Sequence, residues 1–293
     1  MKILNLMYPE DSEIKFKISH FPDGQQDLTI TQYDDINIEI LSRFNSFKDL
    51  ELIICATKAL RRLGIKNISL YIPYLLGARS DRQFVEGGTS YLVDVIAPII
   101  NSLDFESVTV VDVHSDVAAA CIKNLRVIDN TEFVKSVVFN EICFGPGFID
   151  IEKFNNLMLI SPDAGALKKI YKVANAIGYK KDVIVCSKSR DEEGNLTKIK
   201  VPIFGHKTIQ NDVIIIDDIC DGGVTFINIA RELKDNGWSG KIYLIVTHGI
   251  FSKLFKELSQ YFDGIYTTDS IRSDFDWEQK ERDNTEICKI IKL

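Results

Sequence analysis

Residues 214–226 read IIIDDICDGGVTF. The isoleucine run reads as a buried strand that ends at Asp217, and a helical pattern begins near Thr225. The turn between them holds Asp217, Asp218 and Asp221 together with Gly222 and Gly223. Backbone N–H groups in such a turn, with the partial positive charge of a helix start, make an anion site. Glycine lets the backbone come close to the anion. Carboxylates repel phosphate, so here they must serve another part of the ligand. Adjacent acids at a strand end are placed to accept hydrogen bonds from vicinal sugar hydroxyls, and a phosphorylated ribose meets both demands. Taken alone, the stretch reads equally well as an acidic turn that caps a helix.

The flanking sequence repeats the strand–helix alternation. Short apolar runs at Ile68–Ile72, Val108–Val113, Leu157–Ile160, Val183–Cys186, Val213–Ile216 and Ile242–Val246 read as buried parallel strands. Helical spacing covers Leu50–Leu63, Tyr91–Leu103, Ala164–Ile177 and Phe226–Asn236, and three of these run into a glycine (Gly64, Gly178, Gly237) of the kind that stops a helix. The pattern predicts an α/β fold with mainly parallel sheets flanked by helices. Each half has a strand that leads into acid or histidine, VVDVHSD at 110–116 and IIIDDICD at 214–221, so two related domains are expected. The polar, glycine- and proline-containing segment CFGPGFIDIEKFNN (143–156) marks the boundary, giving domains 1–147 and 148–293.

The 293 residues are 45% hydrophobic and 26% charged, enough for two medium domains with real cores. Net charge is 35 − 42 = −7 with no long basic run, which argues against a nucleic-acid partner. The start, MKILNLMYPE, has too short an apolar run for a signal peptide, and no stretch approaches the length of a membrane span. Six scattered cysteines form no C-x-x-C pair and read as reduced residues. A cytoplasmic protein with no membrane partner is expected.

The loop at 217–225 resembles the ribose-phosphate loop of type I phosphoribosyltransferases and phosphoribosyl pyrophosphate (PRPP) synthetases, whose pattern is D-D-x-x-D-T-x-x-T. The rest of the chain is similar to PRPP synthetases in particular. YIPYLLGARSDRQ (71–83), FPDG (21–24), VVDVHSD (110–116), SPDAGA (161–166), THGIFS (247–252) and TTDSI (267–271) resemble family segments in the family's order. A simple phosphoribosyltransferase accounts only for the second half. The resemblance implies two domains of type I phosphoribosyltransferase-like fold with the active site between them. It also implies Mg²⁺-dependent transfer of the β,γ-diphosphoryl group of ATP to the anomeric hydroxyl of ribose 5-phosphate, with release of AMP. The expected assembly is a homo-oligomer built from dimers, up to hexamers.

Residue by residue, the resemblance implies that Phe21, Asp23 and Gln25 lie in the adenine loop, which in the family reaches across a subunit interface. Arg79 and Arg82 would hold ATP through planar guanidinium contacts, with Asp81 orienting an arginine or the adenine edge. His114 would approach the ATP phosphates and Mg²⁺, and Asp163 would hold Mg²⁺ directly or through water. Asp217, Asp218, Asp221, Gly222, Gly223 and Thr225 would grip the ribose phosphate. Lys188 and Arg190 carry the K-x-R spacing of the family's catalytic loop, within SKSRDEEGNLTK (187–198), and would stabilise the transition state. Read as bare residues, FPDG is an ordinary β-turn, R-x-D-R a surface ion cluster, Asp163 a helix cap and 187–198 a hairpin.

This chain departs from the pattern at four positions. Gly222 replaces a threonine, Val224 a glycine, Ser80 a glutamine and Gln25 a glutamate. Loss of a hydroxyl at 222 weakens the grip on a terminal monophosphate and opens room for a diphosphate that continues to a nucleoside. ADP-ribose is therefore an alternative acceptor, which would give ADP-ribose pyrophosphate in NAD rebuilding. A non-catalytic regulatory subunit is a third reading, opposed by the survival of Arg79, Arg82, His114, Asp163, Lys188, Arg190 and the acid pair.

Overall fold

The computed structural model describes residues 1–144, 147–190, 196–202, 210–253, 255–273 and 287–293, with backbone only for 190 and 196–198. The chain separates into two compact units, Met1–Asp129 and Asn130–Leu293.

The first unit contains β1 (Lys2–Asn5), β2 (Lys15–His20), β3 (Gln26–Gln32), β4 (Asn37–Leu41), α1 (Phe47–Arg62) and β5 (Asn67–Tyr71). A π-helical segment, Leu92–Ile96, then runs into α2 (Ala97–Ser102), followed by β6 (Val108–Val111), α3 (Val117–Cys121) and β7 (Leu125–Ile128). Five strands pair in the order β1-β4-β5-β6-β7, all parallel. Strands β2 and β3 form a separate antiparallel hairpin packed on α1. Helix α1 begins at a capping box in which Ser46 and Asp49 satisfy each other's free N–H groups. Its apolar face, Leu50, Ile53, Ala56 and Leu60, is buried against strand residues Ile38, Ile40, Ile68 and Leu70.

The second unit opens with α4 (Thr131–Val137), which continues as a π-helical segment to Ile142, and α5 (Ile151–Asn156). Next come β8 (Met158–Ser161), α6 (Leu167–Ile177), β9 (Ile184–Val185), β10 (Ser187–Arg190) and β11 (Leu196–Lys200). The remaining elements are β12 (Val213–Cys220), α7 (Val224–Asp235), β13 (Ile242–Gly249), β14 (Gly264–Thr268) and β15 (Cys288–Ile291). Six strands pair in parallel in the order β15-β14-β13-β12-β8-β9, and β10 with β11 make a separate antiparallel hairpin.

The isoleucine run of β12 follows from its central place. Val213 and Ile215 face a core built with Phe226, Ile229 and Leu233 of α7. Ile214 and Ile216 face the other core, with Val134 of α4 and Ile170, Val173 and Ile177 of α6. A strand buried on both faces has no place for a polar residue, and the first acid comes only after the pairing with β8 ends at Ile215.

The structure differs from the sequence reading at the domain boundary and at two strand ends, among other element bounds. The units divide at Asp129 and Asn130, earlier than 147/148, because Val134, Val137, Ile142 and Cys143 are built into the core beneath α6. Strand β12 runs on through the acids to Cys220 instead of ending at Asp217, held by β13 as far as the Cys220–Gly249 pair. Strand β6 stops at Val111, since Asp112 takes a left-handed φ of 43°. Cys143, Cys186 and Cys220 are buried free thiols, and burial pushes Cys186 up to about 12. Among the described residues no helix is long and apolar enough to cross a membrane.

Truncating Ile215 to alanine is expected to cost about 3 kcal/mol of stability. Val224→Ala, at an exposed site on the same strand–turn–helix, is expected to change it by less than about 0.5 kcal/mol. Urea unfolding of the two variants checks the difference.

Candidate active site

In the second unit, three strand ends and their loops bring the expected residues together. β12 delivers the acid pair. Asp218 is buried on the side of α6, where Lys169 Nζ stands 3.6 Å from its Oδ2. Asp217 Oδ1 accepts the Asp218 N–H at 2.9 Å. Burial of the Asp217 carboxyl, and then the charge of Asp218, push Asp217 well above the ordinary carboxylate range.

Asp221 and Gly222 then turn the chain, and Gly223, at φ 77°, starts α7 as its N-cap. A left-handed cap suits glycine, and a Cβ there would meet Leu258 Cδ2 at 3.0 Å. Val224 and Thr225 are the first two residues of the helix. The N–H groups of the first helical turn have no carbonyl partner within the helix, as at any helix start.

Asp163 lies in the loop between β8 and α6. Its Oδ1 accepts the Ala166 N–H at 3.0 Å, and Ser161 Oγ donates to its carbonyl at 2.6 Å. It closes the turn before the helix, and α6 starts at Leu167, later than expected. Lys188 on β10 donates from Nζ to Asp163 Oδ2 at 2.8 Å. Burial alone would raise Asp163, but the Lys188 ammonium and the Ala166 N–H outweigh it and hold the carboxyl below its usual 3.8. Lys188 sits opposite Ile199 in the β10–β11 hairpin. Arg190 ends β10, but its side chain lies outside the described residues, as do residues 191–195 of the expected lid.

In the first unit, Phe21, Asp23 and Gln25 form the tip between β2 and β3. Phe21 N–H donates to Gln25 O and Gly24 N–H to Phe21 O, both at 2.9 Å, while Gln25 N–H donates to Asp23 Oδ1 at 3.1 Å. The β-turn reading of FPDG therefore holds, and the turn presents a Phe21 ring that is 49% exposed. Arg79 and Arg82 are exposed in the loop after β5, with the Arg82 guanidinium 5.3 Å from the centre of the Phe84 ring. Asp81 accepts a hydrogen bond from Ser115, which joins the arginine loop to the loop of His114. His114 is exposed and lies past the end of β6, beyond the bend at Asp112.

Sequence reasoning missed Lys169, Ser115 and the buried network around His248. Thr268 Oγ1 donates to Thr247 O at 2.6 Å, and His248 Nδ1 shares a hydrogen bond with Ser270 Oγ at 2.9 Å. The THGIFS and TTDSI landmarks were the available signal for that network. Lys253, which lies across Gly222, was also missed. Nothing in the local pattern points to it.

Both units define a phosphoribosyltransferase-like α/β architecture. A crystal structure of phosphoribosylpyrophosphate synthetase from Mycobacterium smegmatis superimposes with a TM-score of 0.78 at 14% identity, covering 100% of this chain and 95% of that one. A family model described as a phosphoribosyl synthetase-associated domain matches residues 168–283. The ribose-phosphate pyrophosphokinase of Campylobacter jejuni is 29% identical over 224 residues, 76% of this chain and 67% of the relative. That of Pyrococcus abyssi is 25% identical over 242 residues, 82% and 78% respectively. The likeness to ribose-phosphate pyrophosphokinases read from the motifs therefore extends over most of the chain.

An acid whose pKa is raised by folding destabilises the folded state at every pH above its ordinary value. Asp217→Asn removes that penalty and is expected to raise Tm by roughly 2–4 °C at pH 7, with the gain shrinking as pH falls toward 4. Thermal scans at the two pH values test this, and a lower Tm at pH 7 would contradict it. For Asp163 the sign is opposite. Its depressed pKa contributes stability above the usual 3.8 that is lost as pH falls through the folded value. Lys188→Met should move the Asp163 titration upward, followed by carboxyl-carbon NMR.

Proposed function

We propose that the protein transfers the β,γ-diphosphoryl group of Mg·ATP to the anomeric hydroxyl of a 5-phosphorylated ribose. The observation that carries this reading is the end of β12. It carries the adjacent acids Asp217 and Asp218 and, one turn later, the glycine-capped start of α7, an arrangement that supports acceptors for sugar hydroxyls beside donors for a phosphate. Asp163, in the loop after β8, and Lys188, on β10, are held together within the same unit. Relatives named ribose-phosphate pyrophosphokinase support the reaction class.

In this reading the acceptor's ribose hydroxyls bond to Asp217 and Asp218, and its phosphate sits on the N–H groups of residues 222–225. The acceptor's anomeric oxygen attacks the β-phosphorus of ATP, and the bond from the β-phosphorus to the bridging oxygen breaks. AMP leaves with the electron pair, and the hydroxyl proton passes to solvent. Lys188 neutralises charge on the transferred group, the contribution such chemistry most needs. Magnesium keeps several waters and takes one or two carboxylates plus phosphate oxygens. Asp163 fits it, being ionised and 42% exposed. When bound, the ion offsets phosphate charge. Arg79, Arg82, His114 and the Phe21 turn belong to the nucleotide, with the His114 imidazole better matched to phosphate oxygens than to a hard cation.

Ribose 5-phosphate is the acceptor in the first reading. The missing side chain at Gly222 favours a second, in which ADP-ribose enters the same loop and is converted to its pyrophosphate. Incubation with Mg·ATP and each acceptor, followed by product masses, decides between them. AMP with PRPP supports the first reading and AMP with a diphosphorylated ADP-ribose the second. AMP from neither sinks the proposal and favours a non-catalytic role. Lys188→Ala is expected to lower kcat by about 10²–10³-fold, and an unchanged rate would remove Lys188 from the mechanism.

A further inference from the structure

We infer that Lys253 binds the phosphate on the acceptor's ribose, in place of the side chain that position 222 lacks. The inference deepens the reading above and rests on it for the occupant of the anion site.

Strand β13 leads into a turn that folds back on the end of β12. Ile250 and Phe251 N–H groups donate to Cys220 O at 2.9 and 3.2 Å, and Ser252 N–H donates to Asp221 O at 3.2 Å. Phe251 is buried in a left-handed conformation, φ 44°, and its ring closes over Gly249, where a Cβ would fall 2.2 Å from Cε2. Strain of this kind persists only where packing and hydrogen bonds hold it, and it clusters at ligand sites. The residue after Ser252 is thereby carried to the acidic glycine turn. A Cβ built on Gly222 would lie 3.5 Å from both Cδ and Cε of Lys253 and 3.6 Å from Cγ. The lysine stem thus covers the open face of Gly222.

The ammonium is one bond beyond Cε, and Cε lies beside the turn proposed to take the anion. Lys253 is exposed, so its head stays hydrated while its stem lies on the glycine. Three carboxylates neighbour this turn, and a phosphate dianion entering there needs a compensating positive charge. A flexible ammonium serves a phosphate oxygen as a point charge without demanding planar geometry. Position 222 has room for a β-carbon at ordinary contact distance. Larger side chains would push the lysine stem aside, so glycine at 222 and lysine at 253 work as a pair.

Calorimetry with ribose 5-phosphate and with ADP-ribose tests the inference on wild type, Lys253→Met and Lys253→Arg. Methionine keeps much of the stem without the charge, at an exposed site where folding is not at stake. We expect Lys253→Met to weaken the accepted ligand about 10–100-fold. Its KM for the acceptor should rise more than its kcat falls, and ATP affinity should stay unchanged. Lys253→Arg should restore most of the affinity, and added salt should narrow the gap. The double variant Gly222→Thr with Lys253→Met should recover part of the ribose 5-phosphate affinity. A gap seen with ribose 5-phosphate assigns Lys253 to a terminal phosphate, and one seen with ADP-ribose assigns it to a bridging diphosphate. Wild-type binding and KM in Lys253→Met would overturn the inference alone. Lys253-dependent binding without AMP release would leave it standing and overturn the reaction. Failure of wild type to bind either acceptor would overturn both.

Discussion

Two like charges at the buried end of one parallel strand are the constraint around which the second unit is arranged. The charge of Asp218 adds to the cost of ionising Asp217, yet the two adjacent acids meet different surroundings. Asp218 lies on the α6 side and has Lys169 near it. Asp217 gains the N–H of its neighbour and otherwise remains an acid that burial discourages from ionising. A protein keeps such a pair where a ligand repays the cost. The sheet dictates where the ligand goes, because parallel strands open their loops at the carboxyl ends.

In the proposed reading, the same logic explains why a turn that takes an anion has acids beside it. Sugar hydroxyls donate hydrogen bonds and phosphate oxygens accept them. A site that places acceptors on the strand and donors at the helix start fits a molecule carrying both groups a few bonds apart. Lys169, Lys188 and Lys253 bring positive charge to this acidic region from α6, β10 and the turn after β13 respectively. Each is a lysine on a separate stretch of chain, so the charge balance of the site is a tertiary property.

Periodicity was the most legible feature. The six expected strands all appear, and the helix at 226–236 is displaced by only two residues at its start. Each has both faces or one whole stripe buried, and that requirement writes itself into composition. The missed elements include some with that burial as well as some without it, since β4 and β14 lie inside their sheets and α4 is built into the core. Strands β2 and β3 form an exposed hairpin, β1 and β15 lie at sheet edges, and α3 is a single short turn. The domain boundary misled for a related reason. Glycine and proline in 143–156 suggest a linker, whereas the division between units follows packing, and α4 packs with what comes after it.

The sequence by itself determined the parallel α/β architecture and the strand–turn–helix at 214–226, because burial on both faces of β12 and the left-handed cap at Gly223 each admit few residue types. It also determined which acids, lysines and arginines are available to a site. Only the tertiary structure decided that Lys188 reaches Asp163 and that Lys253 lies over Gly222. In both pairs the residues are separated by whole elements of chain. A long side chain finds its partner through the path of the backbone between them, and no local pattern of residues encodes that path.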